Sequence, residues 1–85
     1  MATQNCIVVL EYLKQNYGKE CERREMVKTL SIPMIAVIGV MTPLINKKYA
    51  TKREENVVDL DTGKTIKNTY YSLTEEGLSY DPSEN

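Results

Sequence analysis

The spacing of apolar residues changes once along the chain, at Tyr49, and that change limits the fold more than any other feature. Before it, apolar residues recur every three or four positions, the period of a helix buried along one stripe. After it they alternate, the period of a strand with one covered face. A chain of 85 residues in that order builds one α+β domain, helices first and a β-hairpin after. We place the domain at residues 1–78 and expect a polar, frayed tail at residues 79–85. A chain this short buries only about 60–65% of the surface its unfolded form exposes, so the stripe has to be used economically.

Residues 4–17 read as the first helix, with Cys6, Ile7, Val9, Leu10 and Leu13 on one stripe and Tyr17 extending it. Thr3 is placed to cap its start, and Gly18 to close its end in a left-handed conformation. Val8 and Tyr12 lie off the stripe, where they either widen it or offer a contact surface to another chain, including a second copy in a homodimer. Lys19–Cys21 is a short extended link, and Arg23–Leu30 a second helix burying Met26, Val27 and Leu30. Proline fits the first turn of a helix and not its interior, so Pro33 opens a third helix running to Asn46, with Val37, Met41 and Leu44 inward. By the same rule Pro43 should kink or weaken its last turn. Two helices joined by a tight turn make a helix-turn-helix.

Tyr49–Leu60 and Thr65–Leu73 read as two strands around the turn Asp61-Thr62-Gly63-Lys64. Thr69, Tyr71 and Leu73 share one face, while Asn68 and Tyr70 take the other, with Ile66 off the first.

Several function classes are excluded by inventory. The chain has no histidine, so no ordinary Ser-His or Cys-His nucleophile pair forms, and two cysteines alone supply no four-ligand zinc site. Its four glycines are scattered and make no phosphate-cradling loop. Glu54-Glu55 and Glu75-Glu76 are adjacent carboxylates with nothing apolar to raise a pKa. We expect a non-enzymatic protein without a cofactor. Cys6 and Cys21 sit in apolar patterns and read as reduced core residues. The run Ile32–Val40 is too short for a bilayer, and Met1-Ala2-Thr3-Gln4 lacks the features of a secretory signal, so no membrane segment and a cytoplasmic location are expected. Net charge is −1, but the last twelve residues hold four acids and no base, leaving 11 bases against 8 acids before Thr74.

Asn16-Tyr17-Gly18-Lys19-Glu20 resembles the connector before the second helix of small MarR-like winged helix-turn-helix proteins. Leu30-Ser31-Ile32, and a helix ending in Leu44-Ile45-Asn46-Lys47-Lys48-Tyr49-Ala50, resemble their recognition helix and its exit. Those proteins usually carry glycine where this chain has Lys48. Tyr71-Ser72-Leu73-Thr74-Glu75-Glu76-Gly77 is similar to the segment closing their wing. The resemblance covers residues 5–81 and implies a three-helix winged helix-turn-helix with a C-terminal β-hairpin wing. It implies double-stranded DNA as partner and transcription regulation as function, with the third helix in the major groove and the hairpin on the backbone. The long flanking helices through which full-length MarR regulators dimerise have no counterpart here.

Burying Val37, Met41 and Leu44 turns Met34, Ile35, Ile38, Gly39, Thr42 and Asn46 outward. Base edges are read mainly by hydrogen bonds, which only Thr42 and Asn46 offer, with apolar contacts kept for thymine methyls. The apolar members fit three accounts: a register one residue off that makes some of them core, a patch docking a protein, or apolar DNA readout. The protein-docking account makes the chain a winged-helix interaction module, of the kind a phage-encoded inhibitor or antirepressor would be. Phosphate contacts are expected from Lys47, Lys48, Lys52 and Arg53 after the helix, from Lys64 and Lys67 beside the hairpin tip, and from Arg23, Arg24 and Lys28 on the second helix. Glu54, Glu55, Asp59 and Asp61 stand among these bases, so a balanced solvated surface is the competing reading.

Overall fold

The first apolar stripe winds onto one side of α1 (Gln4–Gln15) in a computed structural model that describes residues 4–81. Val9, Leu10 and Leu13 are buried and Cys6 and Tyr12 pack against the core, so Tyr12 widens the stripe. Thr3 lies outside the described residues. The helix ends two residues before the sequence suggests, because its last turn tightens: Asn16 N donates to Leu13 O, and Tyr17 N to Lys14 O. Gly18 follows at φ +90°, left-handed as expected.

The link after it forms more than a connector. Cys21–Glu22 is a two-residue strand, β1, paired antiparallel with the last strand through Cys21↔Tyr71 and Glu22↔Tyr70. Cys21 is buried, where backbone groups need partners, and the outer edge of that strand supplies them. α2 (Arg23–Leu30) follows at once and buries Met26 fully, with Val27 and Leu30 packed against the core.

Ser31 turns the chain in the left-handed region (φ 55°), and Pro33 caps α3 (Met34–Asn46), receiving Ala36 N and Val37 N on its carbonyl. α2 and α3 meet at a bend of 120°. Val37, Met41 and Leu44 are buried as expected, and Val40 joins them. The helix runs through Pro43 to Asn46, contrary to the expected weakening. The carbonyl that Pro43 leaves without a helical donor belongs to Gly39, and both residues are exposed, so water can serve it.

Lys48 turns the chain in the left-handed region, at φ 65°. The chain then enters β2 (Ala50–Val58), which pairs with β3 (Thr65–Leu73) from Ala50↔Leu73 to Val58↔Thr65. The sheet is therefore three-stranded, in the order β1-β3-β2, instead of a lone hairpin. Thr69, Tyr71 and Leu73 do share the buried face, and Ile66 lies opposite Val57 on the other. β2 stops at Val58, short of Leu60, because Asp59 organises the turn: its carbonyl accepts Gly63 N at 2.7 Å and its carboxylate accepts Asp61 N at 2.9 Å.

A fourth helix, α4 (Glu75–Leu78), has no counterpart in the apolar pattern. Thr74 caps it, accepting Gly77 N at 3.1 Å, while its hydroxyl donates to Lys48 O at 2.8 Å. Gly77 packs so tightly that a β-carbon there would overlap the carbonyl of Tyr49. Tyr80 stacks on Tyr49 with centroids 4.4 Å apart, and its carbonyl accepts Lys14 Nζ at 2.8 Å. The packed structure thus reaches Tyr80, inside the stretch expected to fray; residues 82–85 lie outside the described residues. The architecture is α+β, with four helices and one antiparallel sheet among the described residues.

Candidate nucleic-acid interface

The sequence places its contact residues on four parts of this fold: the outer face of α3, the α3–β2 exit, the distal hairpin and α2.

The inward turn of Val37, Val40, Met41 and Leu44 fixes what α3 shows outward. Ile35 is 80% exposed and Ile38 is 38% exposed, with Gly39 exposed and Met34 half-buried. The account that makes Ile35 core through a shifted register is therefore excluded. Thr42 is exposed, but its hydroxyl donates to Ile38 O at 2.8 Å, back onto its own helix. Asn46 is exposed and makes no side-chain hydrogen bond among the described residues. The outer face is thus an apolar strip with one open amide at its end.

The bases divide into available and engaged. Lys47, Lys48 and Lys52 are exposed near the α3–β2 exit and make no ion pair among the described residues. Lys64 is likewise unpaired but sits at the tip, roughly 30 Å away along strands of nine residues. Lys67 is paired with Glu54 at 3.2 Å, which pulls the Glu54 carboxyl below the ordinary range. That direction is opposite to what a general acid requires.

Arg53 is the most engaged of all. Its Nε and Nη2 donate to the two carboxylate oxygens of Glu20 at 2.6 and 2.9 Å, and Nη1 donates to Glu55 at 3.1 Å. The guanidinium also lies 4.5 Å over the Tyr70 ring. Arg53 is thereby held more firmly protonated, and the Glu20 carboxyl is pulled down. Register explains the assembly: Arg53 and Glu22 pair with Tyr70 from opposite edges of β3, so the Arg53 side chain, lying over the Tyr70 ring, reaches across that strand to Glu20. The sequence puts Tyr70 on the face away from Tyr71 and sets Glu55 among the acids that balance these bases, but gives no sign of Glu20 as a partner. Recognising Cys21–Glu22 as a strand is the signal that would have found Glu20.

Arg23 is half-buried, not presented to solvent, with Nη1 3.5 Å from the Tyr71 hydroxyl and Nε buried without a partner. Arg24 and Lys28 are exposed on α2. Between β2 and β3, four bases (Lys52, Arg53, Lys64, Lys67) meet four acids (Glu54, Glu55, Asp59, Asp61), so the hairpin is electrically balanced. The expected bases do not form one patch. Lys47, Lys48 and Lys52 are exposed within six residues of one another around the α3–β2 exit, Lys64 stands at the hairpin tip, and Arg53, Lys67 and Arg23 are occupied or withdrawn.

Elsewhere, an open hollow of about 830 Å³ is lined by Lys48, Thr74, Glu75, Glu76 and Ser79, and a smaller one of about 170 Å³ by Val8, Glu11, Tyr12, Gln15 and Leu30. No cluster of three or more potential metal ligands occurs among the described residues. Cys21 is buried and Cys6 half-buried, and burial pushes both thiols up. No single helix among the described residues is long and apolar enough to cross a membrane. Compared with protein-family models and with curated proteins, the sequence matches none.

Proposed function

We propose that this chain is a winged helix-turn-helix module that binds double-stranded DNA and regulates transcription, with α3 in the major groove and the β2–β3 hairpin as its wing. The observation that carries the reading is a 120° junction of α2 and α3 together with the exposure of Ile35 and Ile38 on α3, the helix from which the chain passes directly into the β2–β3 hairpin. That is the arrangement by which such folds present one helix to a groove. Lys47, Lys48 and Lys52 supply cations at the exit of the same helix, suited to phosphate. Ile35 and Ile38 offer contacts to thymine methyls, so this reading gives a binder with modest base discrimination and a strong dependence on salt.

The test is a titration of random-sequence duplex at two salt concentrations. Replacing Lys47 and Lys52 together by alanine should reduce the slope of log affinity against log salt by about 1.8, roughly 0.9 for each phosphate no longer neutralised. No affinity for any duplex at low salt sinks the proposal.

A second reading is favoured by one observation, the 80% exposure of Ile35 beside Ile38 on a helix with no charged residue. It is a winged-helix module that docks a protein through α3. Ile35→Asp separates the two, because a carboxylate in a groove is repelled by phosphates. Duplex affinity falling at least roughly tenfold supports DNA in contact with α3, and unchanged duplex affinity moves α3 to the protein-docking role.

A further inference from the structure

Arg53 is a planar five-donor cation at the surface, and all three of its nitrogens face carboxylate oxygens of Glu20 and Glu55. The fork that grips Glu20 is the same one that grips a phosphate, so a phosphate can reach this arginine only by displacing a carboxylate. Both partners are half exposed, which keeps such an exchange accessible and sensitive to salt. Glu20 belongs to the connector before β1 and Arg53 to β2, so the pair straps the hairpin to the helical body across 33 residues. Tyr70 lies beneath the guanidinium, its ring centroid 4.5 Å from the guanidinium carbon.

We propose that the Glu20–Arg53–Glu55 cluster is an autoinhibitory strap, in which the two carboxylates occupy an arginine that otherwise takes a duplex phosphate. The inference rests on the duplex-binding reading above and adds to it a restraint that weakens the contact. It explains a mismatch in the hairpin: its one arginine, the hairpin cation shaped for bidentate phosphate recognition, is the one most completely neutralised from within.

The experiment measures duplex affinity by fluorescence anisotropy at two salt concentrations, for the full chain and for Glu20→Gln, Glu55→Gln, Arg53→Gln and the Glu20→Gln/Arg53→Gln double variant. Glu20→Gln should bind at least roughly threefold tighter at low salt and steepen the salt slope by about 0.9, the signature of one more phosphate neutralised. Glu55→Gln should do the same to a smaller degree, since it faces one nitrogen instead of two. In the Arg53→Gln background the gain should vanish. A gain that survives in that background overturns the strap, because it then comes from removing a negative charge anywhere. Wild-type binding with no gain in Glu20→Gln overturns the strap and leaves the duplex reading standing. If neither the wild type nor Glu20→Gln binds, the duplex reading fails and takes the strap with it. Binding by Glu20→Gln alone, dependent on Arg53, supports both.

Discussion

Near its base the β2–β3 hairpin turns Ala50, Thr69, Tyr71 and Leu73 into the core, whereas beyond the Glu54↔Thr69 pair the same two strands have water on both faces. The pairing is continuous, from Ala50↔Leu73 to Val58↔Thr65. What differs is how each half is held. The base is closed by Thr74, Gly77 and Tyr80, which bind back onto Lys48 and Tyr49. The distal half is held by exposed charge pairs, Arg53 with Glu20 and Lys67 with Glu54, and ends in Val58 and a 95% exposed Leu60. Backbone pairing can therefore run unchanged from a part that is fold to a part that is free to be a contact surface.

Gly77→Ala is the strongest way to break this comparison at its base. The added carbon overlaps the Tyr49 carbonyl, a backbone atom that cannot swing aside. We expect a loss of about 3 kcal/mol or more, read from a denaturant midpoint. A midpoint within error of the wild type would mean that the closing segment does not fix the hairpin base. Thr74→Ala removes both the helix cap and the hydrogen bond to Lys48 O, and should cost about 1–2 kcal/mol, with Thr74→Ser recovering most of it. Lys48→Gly acts in the opposite direction. Lysine at φ 65° is strained, and relief of that strain exceeds the extra freedom glycine has when unfolded, for a gain of about 0.5 kcal/mol. At the far end, Leu60→Ser should change stability by less than about 0.5 kcal/mol, since the side chain touches little.

The contrast between the two halves also explains what is readable in the residues alone. Periodicity locates α2 and β3 to the residue and puts Thr69, Tyr71 and Leu73 on the covered face, because burial imposes its period directly on the pattern. It also predicts an outward Ile35. It misses β1, since two residues carry no period, and α4, whose four residues are fixed by one threonine hydroxyl and a glycine against a backbone. For the candidate interface, position along the chain shows which cations are near the hairpin but not which have a carboxylate in reach. Arg53 and Lys52 are adjacent and look equivalent, yet they point to opposite faces and only Arg53 meets Glu20. That distinction is tertiary, and it decides which base is available to a ligand.

Acidification gives the smallest and most selective effect. Pairing lowers the pKa of Glu20 and of Glu54 in the folded chain, through Arg53 and Lys67 respectively. A carboxylate whose folded pKa lies below its unfolded value stabilises the fold above the unfolded pKa, near about 4.3 for glutamate. The contribution is lost as pH falls through the folded pKa. Both groups are exposed, so screening keeps the total small, and raised salt should shrink it further. The expected signature is local. Between pH 6 and pH 3, amide hydrogen exchange corrected for intrinsic rate should quicken for the cross-strand bonds around Arg53 to Lys67, while those at Ala50 and Leu73 keep their protection. Equal loss at both ends would show that the charge pairs hold the whole sheet and that the hairpin is one unit, not two.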